Sequence, residues 1–355
     1  MSRKINNTFL RISIPFVALI LGTAVILPET FLIIRLNSDE YWTNIAPEIV
    51  QMDSNLLDDM INDVESHDYS VYSIIIIRNG FIVSEWYDDS HRKNSLFRVY
   101  SVSKSITSAL IGIAIDKGFI DGVNELVLDF FPEKNIFNLD PRKESMTIEH
   151  LLTMTTGLDW PEYYPQSDPR KITHEWRASE DYAQFVLDRP MIFAPGLVFN
   201  YNTGASYLLT AILERATNMS TLDFANKYLF GPLSIKGAFW ILSPQGVAQG
   251  GNGLMIKSRD MAKIGYLFLK NGIWEGKRII SSGWIKASTT SKINMQYGYQ
   301  WWLSPKDDLY QASGYGTQQI NVFHKKELII VFTGMNIVFN YDDYLINSYI
   351  LPAIM

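Results

Sequence analysis

No cysteine occurs among the 355 residues, which excludes disulfide bridges, thiolate nucleophiles and cysteine metal sites. The 5 histidines are scattered without the spacing of metal ligands, and no glycine-rich phosphate loop stands out, so no metal or cofactor is expected. Basic residues are fewer than acidic ones, 31 against 37, which gives a formal net charge of −6. Because no basic stripe is available to neutralise phosphates, this balance argues against a nucleic-acid partner.

The rest of the composition is that of a globular protein with a sizeable core. Apolar residues make up 47% of the chain and charged residues 19%. A chain of this length holds one large domain or two modest ones.

The N-terminal segment departs from this average. Basic residues up to Arg11 precede the apolar run "ISIPFVALILGTAVILP", Ile12 to Pro28. This pattern is typical of a signal peptide or a short membrane anchor. Since no small-x-small cleavage site follows, we expect an uncleaved anchor over residues 1–35, with the remainder of the chain periplasmic or otherwise extracytoplasmic. Secretion after signal cleavage and a buried terminal helix are the alternatives.

Strand patterns lie at both ends of the remaining chain, and helix patterns lie between them. Near the start, "YSIIIIRNGFIVSEWY" predicts two strands joined at Asn79-Gly80, a pair that favours a tight hairpin turn. Near the end, "YQASGYGTQQINVFHKKELIIVFTG" predicts two more strands around a polar turn at 324–327, and then a helix at about 341–352. Between them, apolar residues recur at helical spacing, as in the helix predicted from Ser101 to Lys117.

These patterns predict an α/β (α+β) fold. Its centre is an antiparallel sheet built from both chain ends, flanked by helices and carrying a helical insertion subdomain. We expect residues 36–60 to form a connector and residues 61–355 to form this domain. A cleft between the sheet and the insertion is the expected site.

Two Ser-x-x-Lys patterns occur, and their surroundings differ. Ser90 and Lys93 lie in "DDSHRKNS", which has the composition of an exposed loop. Ser101 and Lys104 are followed by "ITSALIGIAI", which is small and apolar on every face and therefore predicts a buried helix.

A buried Ser101–Lys104 pair has the chemistry of an activated nucleophile. The two residues lie one turn apart on the same side of a helix, and burial lowers the pKa of a lysine, so that it can take the serine proton. The competing interpretation is that Ser101 caps the helix while Lys104 extends to solvent. The local pattern leaves both open. No Gly-x-Ser-x-Gly or His-Glu-x-x-His motif offers another hydrolase site.

The stretch "FRVYSVSKSITSALIGIAIDKGFIDGV" resembles the serine β-lactamase and penicillin-binding protein superfamily. The most similar branch is the class C-like group, which includes esterases, D-amino-acid peptidases and 6-aminohexanoate-dimer hydrolase. Further segments follow in the family's order over about residues 60–340: "MTIEHLLTMTTGLDW", "FAPGLVFNYNTGASYLLTAILE" and "YQASGYGTQQINVF". The resemblance implies a β-lactamase/transpeptidase-like fold.

The resemblance also implies an acyl-transfer site. Ser101 matches the nucleophile, Lys104 matches its base, and Tyr201 matches the tyrosine that shuttles a proton to the leaving group. The backbone N–H groups of Ser101 and Tyr315 match the oxyanion hole. The residues expected to contact the substrate are Thr203, Ser313, Gly314, Gln318 and Trp160. Trp160 opens an aromatic-rich loop that either edges the cleft or packs over the insertion.

Three departures from the family's motifs narrow the expectation. Thr203 stands where many members have asparagine, Met154 stands where they have histidine, and Ala312 replaces the lysine of Lys-Thr-Gly. The missing lysine would hold the carboxylate of a β-lactam. We therefore expect a serine hydrolase that acts through an acyl-enzyme on a small ester or amide.

Two alternatives stay open. The first is a β-lactamase or D,D-peptidase, for which the usual carboxylate anchor is missing. The second is a non-catalytic, penicillin-binding-like sensor. The joint retention of Ser101, Lys104 and Tyr201 disfavours the sensor, because a degraded site usually loses one of its catalytic groups.

Overall fold

A computed structural model describes residues 41–162, 172–292, 296–336 and 340–355. Its main sheet has six antiparallel strands in the order β2-β1-β11-β10-β9-β8. These strands are β1 (Val71–Arg78), β2 (Phe81–Tyr87), β8 (Trp302–Ser304), β9 (Leu309–Gly314), β10 (Gln318–Phe323) and β11 (Leu328–Gly334). The first two precede the helical region and the last four follow it. The sheet is thus built from both ends of the domain, as the sequence predicts, with more strands from the C-terminal end than expected.

The remaining strands form two small sheets. One has the order β3-β5-β4, and the other pairs β6 with β7. Their bounds are β3 (Phe97–Arg98), β4 (Phe239–Trp240), β5 (Leu254–Ile256), β6 (Ile273–Trp274) and β7 (Lys277–Arg278).

Helices cover the sheet and form the insertion. They are α1 (Ser54–Ser66), α2 (Val102–Asp116), α3 (Pro141–Glu144), α4 (Ile148–Leu152), α5 (Ile172–Ala178), α6 (Tyr182–Leu187), α7 (Thr203–Thr217), α8 (Thr221–Ala225), α9 (Ser258–Leu269), α10 (Ser282–Ser288) and α11 (Tyr341–Leu345). None of the helices in the described ranges is long and apolar enough to cross a membrane. The predicted anchor falls among residues 1–40, outside these ranges.

The main sheet is covered on both faces, which explains the unbroken apolar run of β1. Ile74 and Ile76 belong to a core cluster with α1 and α11 on one face. On the other face α9 packs on β1, β10 and β11. Gly265 permits this approach, because a Cβ there would lie 2.8 Å from a methyl group of Ile320. Alternate residues of a strand face opposite sides, so both faces must be apolar.

The hairpin turn between β1 and β2 has the expected geometry. Asn79 and Gly80 both have positive φ, 52° and 85°. Positive φ at both central residues is the requirement of a type I′ turn, whose twist matches that of the flanking strands. The prediction for the turn at Asn79-Gly80 is therefore confirmed.

Two sequence predictions need correction. The segment before the polar turn forms two strands instead of one, because Gly316 and Thr317 adopt positive φ and reverse the chain between β9 and β10. The compact unit also begins at Trp42, earlier than the predicted boundary at residue 61. The predicted connector reaches into the core, since Met52, Leu57 and other apolar side chains of this segment pack beneath the sheet.

Candidate active site

The start of α2 contradicts one of the two interpretations, in which Ser101 caps the helix and Lys104 extends to solvent. Ser101 is the N-cap residue of α2, but its side chain makes no capping hydrogen bond. Instead, Lys104 Nζ donates to Ser101 Oγ over 3.1 Å. Tyr100, just before, has φ of 45°, an uncommon conformation for a residue with a side chain. The backbone bends at Tyr100, between the end of β3 and the start of α2, so that the helix begins directly after Ser101.

Lys104 is buried, with 1% of its surface exposed. Its Nζ also donates to Thr203 Oγ1 over 3.0 Å and to the carbonyl oxygen of Gly251 over 2.7 Å. Gly251 lies close enough because it lacks a side chain: a Cβ would be 2.7 Å from Thr203 Cγ2. The lysine therefore lies inside the protein beside the serine and does not extend to solvent.

Tyr201 is the third group at this point. Lys104 Nζ lies 4.8 Å from the centre of the Tyr201 ring. The ring stacks on Trp302 at a centroid distance of 5.9 Å. Tyr201 lies immediately before α7, and α7 packs against α2. The two helices thus bring Ser101, Lys104 and Tyr201 together across about a hundred residues of sequence, which the sequence predicted only through the family resemblance.

A buried tyrosine supports this aromatic wall. Tyr297 packs against Trp302 with a centroid distance of 4.7 Å. Burial raises the pKa of Tyr297 well above its ordinary value, and the charges of Tyr201 and Glu162 add to the rise. Tyr297 is therefore held as a neutral phenol, packed against Trp302 behind Tyr201.

The end of β9 lies against the serine. A Cβ on Gly314 would be 2.4 Å from the carbonyl oxygen of Val99 and 3.0 Å from the backbone nitrogen of Ser101. Only glycine lets this strand end come so close. Tyr315 follows, and its ring meets that of Tyr100 edge-on at 5.6 Å. The half-buried Ser313 precedes Gly314, so Gly314 lies against the backbone of Ser101 with the other two predicted residues on either side of it in sequence.

The structure gives two predicted substrate contacts another role. Gln318 is buried, and its amide donates to the backbone oxygens of Gly316 and Gly334, which ties the turn after β9 to β11. Trp160 is also buried and packs edge-on against Trp176 at 6.0 Å. Sequence reasoning failed here because it cannot tell a cleft-facing side chain from one that supports a loop.

Sequence reasoning missed Glu162. Its Oε1 accepts from Thr203 Oγ1 over 2.6 Å, and its Oε2 accepts from the backbone nitrogen of Thr203 over 2.7 Å. The indole N–H of Trp160 donates to the same Oε2 over 2.7 Å. The only signal in the sequence was an acidic residue two positions after that tryptophan. Among the described residues no group of acidic and histidine side chains is arranged to hold a metal ion.

A sequence profile of the beta-lactamase family matches residues 57–342. The chain belongs to the beta-lactamase family. One relative is the 6-aminohexanoate-dimer hydrolase of Paenarthrobacter ureafaciens, which is 23% identical over 275 residues, covering 71% of this chain and 68% of the relative.

Solved structures show the same fold. A putative 6-aminohexanoate-dimer hydrolase from Bacillus anthracis superposes with a TM-score of 0.72 at 19% identity, covering 88% of this chain and 87% of the other. A family VIII carboxylesterase gives a TM-score of 0.66 at 16% identity and covers 84% and 96%. The predicted beta-lactamase/transpeptidase-like fold is therefore confirmed.

The structure accounts for two departures from the family's motifs. Asn202 is buried, and its Oδ1 caps α7 by accepting from the backbone nitrogen of Ala205 over 2.9 Å. This leaves Thr203 to meet Lys104. Met154, in place of the family's histidine, is buried and has φ of 60°, and its sulfur accepts from the backbone nitrogen of Asn202. Met154 thus supports the backbone before α7.

The third departure changes the charge of the beta-lactamase family site. Ala312 is fully buried in β9, at the position of the lysine in Lys-Thr-Gly. No cation from this position reaches the cleft. The structure therefore places Lys104 beside Ser101 but provides no second lysine on β9.

Proposed function

We propose that this protein is a serine hydrolase that cleaves a small ester or amide through an acyl-enzyme. The observation that carries the proposal is the 3.1 Å contact between Ser101 Oγ and the buried Lys104 Nζ. A lysine in this setting can accept a proton, because burial disfavours its charged form. Hydrolases and a carboxylesterase among the similar proteins support the same class of activity.

The proposed acylation step uses this contact between Ser101 and Lys104. Ser101 Oγ bonds to the substrate carbonyl carbon while its proton moves to Lys104 Nζ. The carbonyl oxygen becomes an oxyanion, for which the backbone N–H groups of Ser101 and Tyr315 are the proposed donors. Such donors typically contribute about 3 kcal/mol each to the transition state. The intermediate collapses when the bond to the alcohol or amine breaks, and the leaving group takes a proton.

Tyr201 is the proposed route for that proton. The centre of its ring lies 4.8 Å from Lys104 Nζ. The phenol of this ring is proposed to pass a proton from the ammonium to the leaving group. Deacylation runs through the same groups: water attacks the serine ester, its proton goes to the lysine and tyrosine, and Ser101 regains a proton as the acid departs. Lys104 begins and ends the cycle as the amine.

The lack of a lysine at position 312 supports esters and amides, rather than β-lactams, as the proposed substrates. Ala312 provides no cation for the carboxylate that a β-lactam carries. Aromatic rings are present at this site instead: Tyr100, which precedes Ser101, contacts the ring of Tyr315, and the ring of Tyr201 lies beside Lys104. Such rings provide large apolar contact surfaces. The acyl group is therefore proposed to be apolar and to need no negative charge.

A substrate panel tests the proposal. It contains p-nitrophenyl butyrate, an anilide of butyric acid, and nitrocefin as the β-lactam. We expect ester hydrolysis with a burst of nitrophenol, amide hydrolysis that is slower, and little or no turnover of nitrocefin. Efficient nitrocefin hydrolysis would support the β-lactamase alternative. Acylation of Ser101 by labelled penicillin without turnover of any substrate would support the sensor alternative.

We also propose that residues 1–35 hold the enzyme at a membrane, with the catalytic domain outside the cytoplasm. The support is the sequence pattern alone, a basic flank followed by Ile12 to Pro28. We expect the full chain in the membrane fraction and a variant lacking residues 1–35 in the soluble fraction, with ester hydrolysis intact. The same distribution for both proteins would contradict the proposed anchor.

A further inference from the structure

Thr203 lies between the proposed base and a carboxylate. Its hydroxyl oxygen receives a hydrogen bond from Lys104 Nζ over 3.0 Å and donates to Glu162 Oε1 over 2.6 Å. Thr203 is 3% exposed, and the contact is therefore shielded from water. Lys104, Thr203 and Glu162 thus form a series of hydrogen bonds that leads away from Ser101.

The Glu162 carboxylate fixes which group donates and which accepts in these hydrogen bonds. An ionised carboxylate only accepts hydrogen bonds, and a hydroxyl has one proton to give. The Thr203 proton is therefore committed to Glu162, so that Thr203 Oγ1 can only accept from Lys104. The carbonyl oxygen of Gly251 likewise only accepts, over 2.7 Å.

Two acceptors with fixed direction orient the amine. Thr203 Oγ1 and the Gly251 oxygen take two protons of Lys104 Nζ. The third position on the nitrogen faces Ser101 Oγ. That position carries a proton in the ammonium and a lone pair in the amine. When Lys104 is neutral, its lone pair is thus directed at the serine proton, as general-base catalysis requires.

We propose that Glu162 is a positioning residue that directs the Lys104 lone pair at Ser101 through the hydroxyl of Thr203. The inference rests on the proposed function and extends it to a residue outside the serine, lysine and tyrosine set. Its role resembles that of a carboxylate that orients a catalytic base by a hydrogen bond. Here a hydroxyl stands between the two groups.

The substitution Glu162→Gln keeps the size and shape of the side chain but reverses the direction of the hydrogen bond between residue 162 and Thr203 Oγ1. Two N–H groups, from Trp160 and from the Thr203 backbone, point at Oε2, so the glutamine oxygen must take that place. The glutamine NH₂ then faces Thr203 Oγ1 and donates to it. The Thr203 proton turns toward Lys104 and competes with the serine proton for the lone pair.

The test uses a fluorophosphonate probe, so no natural substrate is needed. Ser101 Oγ bonds to phosphorus, fluoride leaves, and the serine proton passes to Lys104. We expect the second-order labelling rate of Glu162→Gln to fall about 10- to 100-fold, part of the usual contribution of a general base. The kcat for p-nitrophenyl butyrate should fall alike, with little change in KM.

Thr203 supplies the second arm of a double-mutant cycle. Thr203→Val removes the hydroxyl and should slow labelling as much as Glu162→Gln, whereas Thr203→Ser should restore most of the lost rate. In the Thr203→Val background, Glu162→Gln should change the rate by about twofold or less, because the coupling passes through the hydroxyl. A purely structural role of Glu162 would give the same loss in both backgrounds.

Glu214→Gln is the matched control. Glu214 Oε1 accepts from the backbone nitrogen of Thr221 over 3.0 Å and from its hydroxyl over 2.7 Å, which repeats the glutamate–threonine contact without a lysine. We expect wild-type labelling for this variant. Glu162→Gln labelling at the wild-type rate, or equal losses in both Thr203 backgrounds, would overturn this inference alone. Wild-type protein that is not labelled at Ser101 would overturn the proposed function and this inference with it.

Discussion

The same Ser-x-x-Lys pattern occurs twice in this protein, at Ser101 and at Ser90, and the two regions share nothing else. Ser90 lies in a loop between β2 and β3, where its backbone nitrogen donates to Asp88 Oδ1 over 3.0 Å and Lys93 is exposed. Ser101 begins a helix whose lysine is buried. The pattern thus gains chemical meaning only where burial brings the amine to the hydroxyl.

A second buried lysine shows that burial alone is not enough. Lys143 Nζ donates to the backbone oxygens of Leu187 over 2.7 Å and Phe137 over 3.2 Å. Burial lowers its pKa, opposed by the charges of Asp188 and Asp140. Its Nζ bonds backbone oxygens that have no proton to give, so this lysine joins loops instead of activating a nucleophile.

The largest effect is expected from removing the two serines in turn. Ser101→Ala should lower kcat/KM for p-nitrophenyl butyrate by at least about 10⁴-fold, as loss of a nucleophile does. Ser90→Ala should leave kcat/KM unchanged. Initial rates at a series of ester concentrations measure both. Equal losses of kcat/KM for the two variants would contradict the assignment of Ser101, and not Ser90, as the nucleophile.

Substitutions of Lys104 and Lys93, the lysines of the two patterns, should differ almost as much in their effect on kcat. Lys104→Met is expected to lower kcat by about 10²- to 10⁴-fold, the usual contribution of general-base catalysis. The substitution also leaves the carbonyl oxygen of Gly251 without this donor, which should cost about 1 to 3 kcal/mol of stability, so kcat is measured where the variant is fully folded. Lys93→Met is the matched control and should show wild-type kcat. Near-full activity of Lys104→Met would disprove its role as base.

A smaller effect is expected at the strand end beside Ser101. Gly314→Ala places a Cβ against the carbonyl oxygen of Val99, where the present distance would be 2.4 Å. The strand must then move, and the N–H group of Tyr315 moves with it. We expect about a 10²-fold loss in kcat, as for loss of an oxyanion-hole donor. Gly122→Ala, where a Cβ meets nothing within 4 Å, is the control.

The smallest effect on activity is expected at the other buried lysine. Lys143→Met leaves two backbone oxygens without a donor, which should cost about 1 to 3 kcal/mol of stability for each oxygen that stays unpaired, with ester hydrolysis unchanged. The lowered pKa of Lys143 also predicts how stability changes with pH. As the pH rises, the folded state loses the lysine proton before the unfolded state does. The free energy of unfolding therefore rises with pH between the lowered and the ordinary pKa. Denaturant unfolding at several alkaline pH values should show this rise for wild type and not for Lys143→Met.

The fold was largely predictable because its strands have strong local signals. The Asn79-Gly80 turn and the isoleucine run of β1 depend on near neighbours in sequence. The missed division between β9 and β10 depends on positive φ at Thr317, which no propensity predicts for threonine. The reach of the core into residues 42–60 depends on packing between distant segments and was equally hidden.

Features of the site that depend on residue type could be predicted from the sequence. Features that depend on the orientation of side chains could not. Ser101, Lys104 and Gly314 occupy the expected place. The inward turn of Gln318 and the contact of Glu162 with Thr203 depend on side-chain orientation. Orientation is set by loops that the sequence pattern does not describe.

The most direct test of the account is the position of the covalent adduct. Wild-type protein and the Ser90→Ala and Ser101→Ala variants are treated with a fluorophosphonate, measured by intact mass and then mapped by peptide mass spectrometry. If Ser101 is the nucleophile, we expect one adduct on wild type and on Ser90→Ala, located on Ser101, and none on Ser101→Ala. An adduct that persists in Ser101→Ala, or no adduct on the folded wild-type protein, would contradict the role of Ser101.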